Sequence, residues 1–181
     1  MRRHVPKLAA CLAIGLAAAV APGRASADDL KVGDKAPNFS LKGSDGKTYD
    51  LADFRGKSAV VLAWFPKAFT GGCTAECKSL RENGEAIRKY DVAYFTASVD
   101  DAETNKKFSE SLGLDYPILS DPTKETARNY GVVHEGRQVP ERWTFYIDKE
   151  GVIRAIDKSV KPANAAADVA AKLKELGVAS R

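Results

Sequence analysis

Two cysteines, Cys73 and Cys77, sit in the stretch "FPKAFTGGCTAEC" at residues 65–77. Thiols four positions apart suit three chemistries: a soft metal site, a structural disulfide, or a reactive sulfur with a partner thiol. The residues upstream bear on the choice. A cysteine in the first turn of a helix faces unpaired N–H groups and the positive end of the helix dipole, which favour thiolate over thiol. Gly71 and Gly72 carry no side chains, so backbone and a small ligand can approach closely. Thr70 offers a hydroxyl to an anion or polar substrate, and Pro66, with no N–H of its own, shields one side of the pocket. Cys73 is the better-placed nucleophile, because Cys77 lies one turn further in.

The elements around this stretch define how it is held. Residues 58–65, "SAVVLAWF", form a continuous apolar run, the pattern of a strand buried on both faces, and Pro66 ends it. A helix is expected from about Cys73 to Tyr90. A second buried strand, "VAYFTASV", covers 92–99. Asp100 or Asp101 then caps a helix that Gly113 closes. A short strand is read at 116–121, a short helix at 123–131, and a hairpin over 142–160 turning at "DKEG". The last helix, 163–177, carries Val169, Leu173 and Leu176 on one face. Upstream, residues 36–54 read as two short strands about "SDGK". The whole is an α/β chain of thioredoxin-like plan, a mixed sheet flanked by helices with an N-terminal strand extension.

The N-terminus reads as an export signal over 1–27. Arg2, Arg3, His4 and Lys7 precede the apolar run 8–20, and Ala25, Ser26 and Ala27 supply a cleavage site before Asp28. Cys11, in "LAAC", leaves with the leader. The domain expected to remain covers residues 28–181, large enough for a proper core without a staple. The leader carries four basic residues and no acidic one, so its loss leaves 24 bases against 24 acids. That neutral balance gives no footprint for nucleic acid or an anionic membrane, and after cleavage no stable membrane association is expected.

"PKAFTGGC" resembles P-x-x-x-T-x-x-C, the active-site motif of the peroxiredoxins of the AhpC/TSA superfamily, with Pro66, Thr70 and Cys73 in the named positions. "PERWTFYIDKEG" at 140–151 resembles that family's R-x-T-F-x-I-D-x-x-G segment and gives Arg142 as the active-site arginine. The likeness runs from residues 32–41 to the last helix. It implies that Cys73 attacks a hydroperoxide and becomes a sulfenic acid, that Arg142 stabilises the thiolate, and that Thr70 hydrogen-bonds thiolate or substrate. Gly71 and Gly72 would border the substrate. The nearest subgroup is the bacterioferritin-comigratory, or PrxQ-type, one, whose resolving cysteine lies five positions on in the same helix. Here the gap is four, and Cys77 is taken as the resolving thiol. Residues at i and i+4 have Cβ atoms about 5–6 Å apart, against roughly 3.5–4.5 Å in a disulfide, so a bridge requires the first turn to unwind.

Two rivals share the thioredoxin-like plan. A Sco-type copper chaperone has a C-x-x-x-C pair, which "CTAEC" matches, but it wants a histidine where "VPERWTFYID" has none, and His134 lies further back in a loop. An exported thiol–disulfide oxidoreductase would carry W-C-x-x-C, a spacing absent here. The expected substrate is therefore a hydroperoxide and the expected partner a thioredoxin-like or other thiol reductant. No cofactor and no metal is expected. The chain is read as a periplasmic monomer.

Overall fold

The computed structural model describes Met1 and residues 30–181. The export signal expected over 1–27 lies outside the described residues except for Met1, and so does Cys11.

Seven strands make one mixed sheet: β1 (Ser40–Gly43), β2 (Thr48–Asp50), β3 (Ala59–Trp64), β4 (Val92–Ser98), β5 (Ile118–Ser120), β6 (Thr144–Ile147) and β7 (Ile153–Asp157). Their order across the sheet is β2-β1-β5-β4-β3-β6-β7. β3, β4 and β5 run parallel, while β6 joins β3 antiparallel and the β1–β2 hairpin is added antiparallel to β5. All six residues of β3 are buried, as an unbroken apolar run at the sheet centre demands. The sheet and its N-terminal extension are those expected from the sequence.

Alternation along the strands feeds two cores. Val60, Leu62, Trp64, Phe95, Ala97, Phe145 and Ile147 face one side, under Ala127, Tyr130 and Val132. Val61, Val92 and Tyr146 face the other, against Leu80, Ile87, Val169 and Leu173. The helices flanking the sheet are α1 (Gly71–Glu82), α2 (Gly84–Arg88), α3 (Ala102–Leu112), α4 (Glu125–Asn129) and α5 (Ala165–Glu175). A third cluster, of Phe65, Ala68, Cys73, Cys77, Phe108 and Ile118, lies between α1 and α3. Burying an aromatic such as Phe108 there is worth about 1.5–3 kcal/mol, so the cysteines sit in a well-stabilised apolar wall.

The single helix expected over 73–90 is in fact two. It starts earlier, at Gly71, and breaks at Asn83, whose φ and ψ of −113° and 15° are not helical. Gly84 follows, and a Cβ there would lie 2.7 Å from Arg88 Nη1 and 2.8 Å from the Tyr94 hydroxyl, so those side-chain ends would have to shift to admit one. The caps of α3 are as read. Asp101 accepts from the Thr104 N–H at 2.7 Å, and Gly113 closes the helix in the left-handed conformation.

Candidate active site

The strand β3 delivers the chain to the site and a bonded loop turns it into α1. Phe65 N–H still pairs with the Ala97 carbonyl at 2.9 Å, and Pro66 then ends the ladder. The loop backbone is fixed from the next strand: Ala68 N–H donates to Asp100 Oδ2 at 2.9 Å, and Ser98 Oγ donates to the same oxygen at 3.0 Å. Phe69 takes a φ of 63°, a left-handed conformation unusual for a bulky residue, and stands 58% exposed with its ring 5.0 Å from that of Phe108. Thr70 is the N-cap residue of α1, and its carbonyl receives the Thr74 N–H at 2.9 Å. Its hydroxyl donates to the Lys67 carbonyl at 2.9 Å, not to Cys73.

Cys73 is the third residue of α1, where helical N–H groups have no partner within the helix. It is only 1% exposed. Arg142, reaching in just before β6, places Nη2 at 3.3 Å from Cys73 Sγ and donates to it. The approach passes over Gly72: a Cβ there would lie 3.1 Å from Arg142 Nη2, so the absent side chain makes room for the guanidinium. A Cβ on Gly71 would meet nothing within 4 Å. The two glycines therefore differ, one closely approached by the guanidinium and one facing open space.

The other arm of Arg142 pairs with Glu76, whose Oε2 accepts from Nη1. Glu76 is fully buried, and its second oxygen, Oε1, completes no hydrogen bond. Burial drives its carboxyl up from 4.5 to about 7; Arg142 opposes the rise, and Asp157 on β7 adds to it. Burial also works against the charge of Arg142, but Glu76 and Cys73 together hold its pKa above the ordinary value. On a helix, positions i, i+3 and i+4 share a side, which is how Cys73, Glu76 and Cys77 all come to face the sheet.

Cys77 is entirely buried, and both cysteines are free thiols within the unbroken helix α1. Burial first, then the nearby Glu76 charge, pushes the Cys77 thiol up to about 12, with Tyr116 pulling the other way. The Tyr116 hydroxyl donates to the Cys77 carbonyl oxygen at 3.1 Å.

Of the residues singled out in the sequence, the fold brings Cys73, Arg142 and Gly72 together, with Cys77 one turn behind. Pro66 and Thr70 lie on the loop that leads into α1, and Gly71 is its exposed first residue. Glu76, Phe69 and Tyr116 were not anticipated, and Asp100 was read only as a possible helix cap. Glu76 had a signal in its spacing: three positions from a candidate thiolate, it shares that residue's side of the helix. His134 stays exposed and faces Glu141 at 3.4 Å. Among the described residues no group of three or more metal-ligating side chains converges.

This arrangement occurs in a chain whose residues 32–156 match the AhpC/TSA family model. Alkyl hydroperoxide reductase E of Mycobacterium tuberculosis is 35% identical over 127 residues, covering 69% of this chain and 83% of the relative. Peroxiredoxin Bcp of Bacillus subtilis is 33% identical over 156 residues, 81% and 97% of the two chains. The solved structure of the peroxidoxin BcpB from Mycobacterium tuberculosis superposes with a TM-score of 0.74 at 26% identity, covering 82% of this chain and 99% of that one. The bacterioferritin comigratory protein of Xanthomonas campestris gives 0.70 at 25% identity, covering 76% and 91%. A thiol held at a helix start by a distant arginine, on this sheet and with these relatives, has one reading: the chain belongs to the AhpC/TSA family and is a peroxiredoxin of the Bcp and PrxQ kind.

Proposed function

We propose that this chain is a thiol-dependent peroxidase that reduces hydrogen peroxide or organic hydroperoxides at Cys73, and that Cys77 resolves the oxidised sulfur. The observation that carries the reading is the Arg142–Cys73 hydrogen bond at 3.3 Å in a member of this family. The Cys73 thiolate attacks the terminal oxygen of the hydroperoxide; the S–O bond forms as the O–O bond breaks, and the leaving alkoxide or hydroxide takes up a proton. Arg142 supplies a fixed cation where the thiolate starts and where negative charge moves onto the leaving oxygen. Glu76 acts through Arg142 as a positioning residue. Thr70, its hydrogen already given to Lys67, presents lone pairs that suit it to accept from the hydroperoxide O–H.

In the second step Cys77 sulfur attacks the Cys73 sulfenic sulfur, an S–S bond forms, and the hydroxyl leaves as water. A dithiol reductant of thioredoxin-like kind then returns two electrons. The helix must open first, since its i and i+4 Cβ atoms stand about 5–6 Å apart. The exposed Gly71 and Gly72 at the start of α1 support such opening.

The leader-like sequence over 1–27 supports export and a periplasmic site of action. A mature N-terminus at Asp28 in protein recovered from the periplasm is the expected outcome; an intact Met1 there contradicts it. Among the described residues the large exposed apolar side chains are Met1, Val32 and Phe69, which supports a monomer. Light scattering at the mass of one chain is the matching result.

The copper-binding alternative is not favoured by these relatives or by the position of His134. One experiment tests the two cysteine roles together. The reduced protein receives one equivalent of peroxide, and its thiols are mapped by mass spectrometry. A Cys73–Cys77 disulfide is expected, and Cys77→Ser is expected to stop at the Cys73 sulfenic acid with one equivalent and to reach sulfinic acid only with excess peroxide. If Cys77→Ser turns over with a small external thiol as fast as the parent does, Cys77 is a buried core residue and not a resolving one.

A further inference from the structure

The mechanism above uses the side chain of Cys77, but the structure also grips its backbone. Tyr116, in the connection between α3 and β5, is buried against α1, and its hydroxyl donates to the Cys77 carbonyl at 3.1 Å. A helical carbonyl has a second lone pair available for such a donor. Burial first, then Cys77, holds the Tyr116 hydroxyl well above its ordinary range, so it remains a donor at any working pH. The ring is held in turn. It lies 5.0 Å from the ring of Tyr94, whose hydroxyl accepts from Arg88 Nη1 at 2.9 Å, and the same nitrogen pairs with Asp115 at 2.8 Å.

We propose that Tyr116 is a latch on the resolving step: its hydroxyl holds the Cys77 peptide in the helix, and the disulfide with Cys73 forms when that hydrogen bond opens. This rests on the reading of Cys77 as the resolving thiol. The two ends of the turn are held unequally. On the Cys73 side α1 begins with two exposed glycines, and helix ends fray at little cost. On the Cys77 side a hydroxyl from another element ties the peptide to the core. Cys77 is also a poor nucleophile while buried, because a thiol pushed up to about 12 is almost wholly protonated at neutral pH. The motion that lets water reach the sulfur and lets its proton leave is the motion that Tyr116 resists. The sulfenic acid at Cys73 consequently lives longer, and a second peroxide can carry it to sulfinic acid.

The test uses the full chain and Tyr116→Phe, which keeps the ring and leaves the carbonyl its place in the helix ladder. Reduced protein is mixed with peroxide, quenched by acid at intervals, and the Cys73 sulfenic acid, the disulfide and the sulfinic acid are quantified by mass spectrometry. Tyr116→Phe should leave the first oxidation unchanged, form the disulfide about three- to tenfold faster, the size expected for one lost hydrogen bond, and yield less sulfinic acid under excess peroxide. Amide exchange in the reduced variant should quicken in the first two turns of α1 and not across the sheet, which a general loss of stability would not reproduce. Tyr94→Phe, whose hydroxyl does not touch Cys77, should match the parent in disulfide rate. A disulfide forming at the same rate in Tyr116→Phe and the parent overturns the latch and leaves the resolving role standing. Cys73 oxidation without a disulfide in either protein overturns the resolving role and the latch with it. No oxidation at Cys73 in either overturns the peroxidase reading itself.

Discussion

Arg142 Nη2 lies 3.3 Å from Cys73 Sγ although 69 positions separate the two residues. The sheet brings them together: β6, which follows Arg142, pairs antiparallel with β3, and β3 leads through its loop to Cys73. The guanidinium thus serves two partners at once, the Cys73 sulfur through one nitrogen and the Glu76 carboxyl through the other.

Arg142→Met removes both contacts. Loss of one fixed donor from a charge-stabilising site costs about 10²–10³ in rate, and a loss of that size is expected in the second-order rate constant for peroxide. Arg142→Lys keeps the charge but not the fork, so it should fail to restore the rate fully. Stopped-flow rates with circular dichroism to verify folding check this; a parent-like rate in Arg142→Met contradicts it.

Glu76 gives stability a pH dependence whose sign is fixed. Its carboxyl titrates near 7 in the folded chain against an ordinary 4.5, so the folded state binds the proton more tightly. Its contribution is therefore complete below about 4.5 and is lost as pH rises through 7. Glu76→Gln should remove a decline on the order of 3 kcal/mol between pH 5 and 8. Urea denaturation of both proteins across that range measures it, and parallel stability curves would refute it.

The two glycines before Cys73 should answer differently to the same change. Gly72→Ala puts a methyl 3.1 Å from Arg142 Nη2 and displaces the guanidinium, so the peroxide rate should fall about tenfold, roughly 1.4 kcal/mol in the barrier. Gly71→Ala meets open space and should keep the rate while gaining about 0.4–1 kcal/mol of stability. Equal effects from the two would contradict the assignment.

Much of this was legible in the residues themselves. The unbroken apolar runs gave β3 and β4, and glycine and aspartate marked where α3 begins and ends. The pairing of Arg142 with Cys73 came from the resemblance of two separate motifs to the peroxiredoxin family, not from the residues alone. What escaped depended on contacts between distant segments. Glu76 shares the side of Cys73 by its spacing, but the partner that pairs with it, Arg142, lies 66 positions on, and spacing alone does not show that pair. Asp100 was read only as a possible cap, because its hold on Ala68 crosses from one strand end to another. The break in the helix after α1 did have a local mark, the Asn83–Gly84 pair, which is a turn signal in its own right. Phe69 carried none: its φ of 63° and its tilted ring contact with Phe108, 39 residues later, have no mark in the local sequence.

The proposed peroxidase stands on Cys73 as the sulfur that meets peroxide. The most direct test is the initial rate at which the reduced protein consumes peroxide with a dithiol reductant, compared between the parent and Cys73→Ser. Turnover is expected in the parent and none above the uncatalysed background in Cys73→Ser, with the fold retained. Peroxide consumption by Cys73→Ser at the parent rate would contradict it.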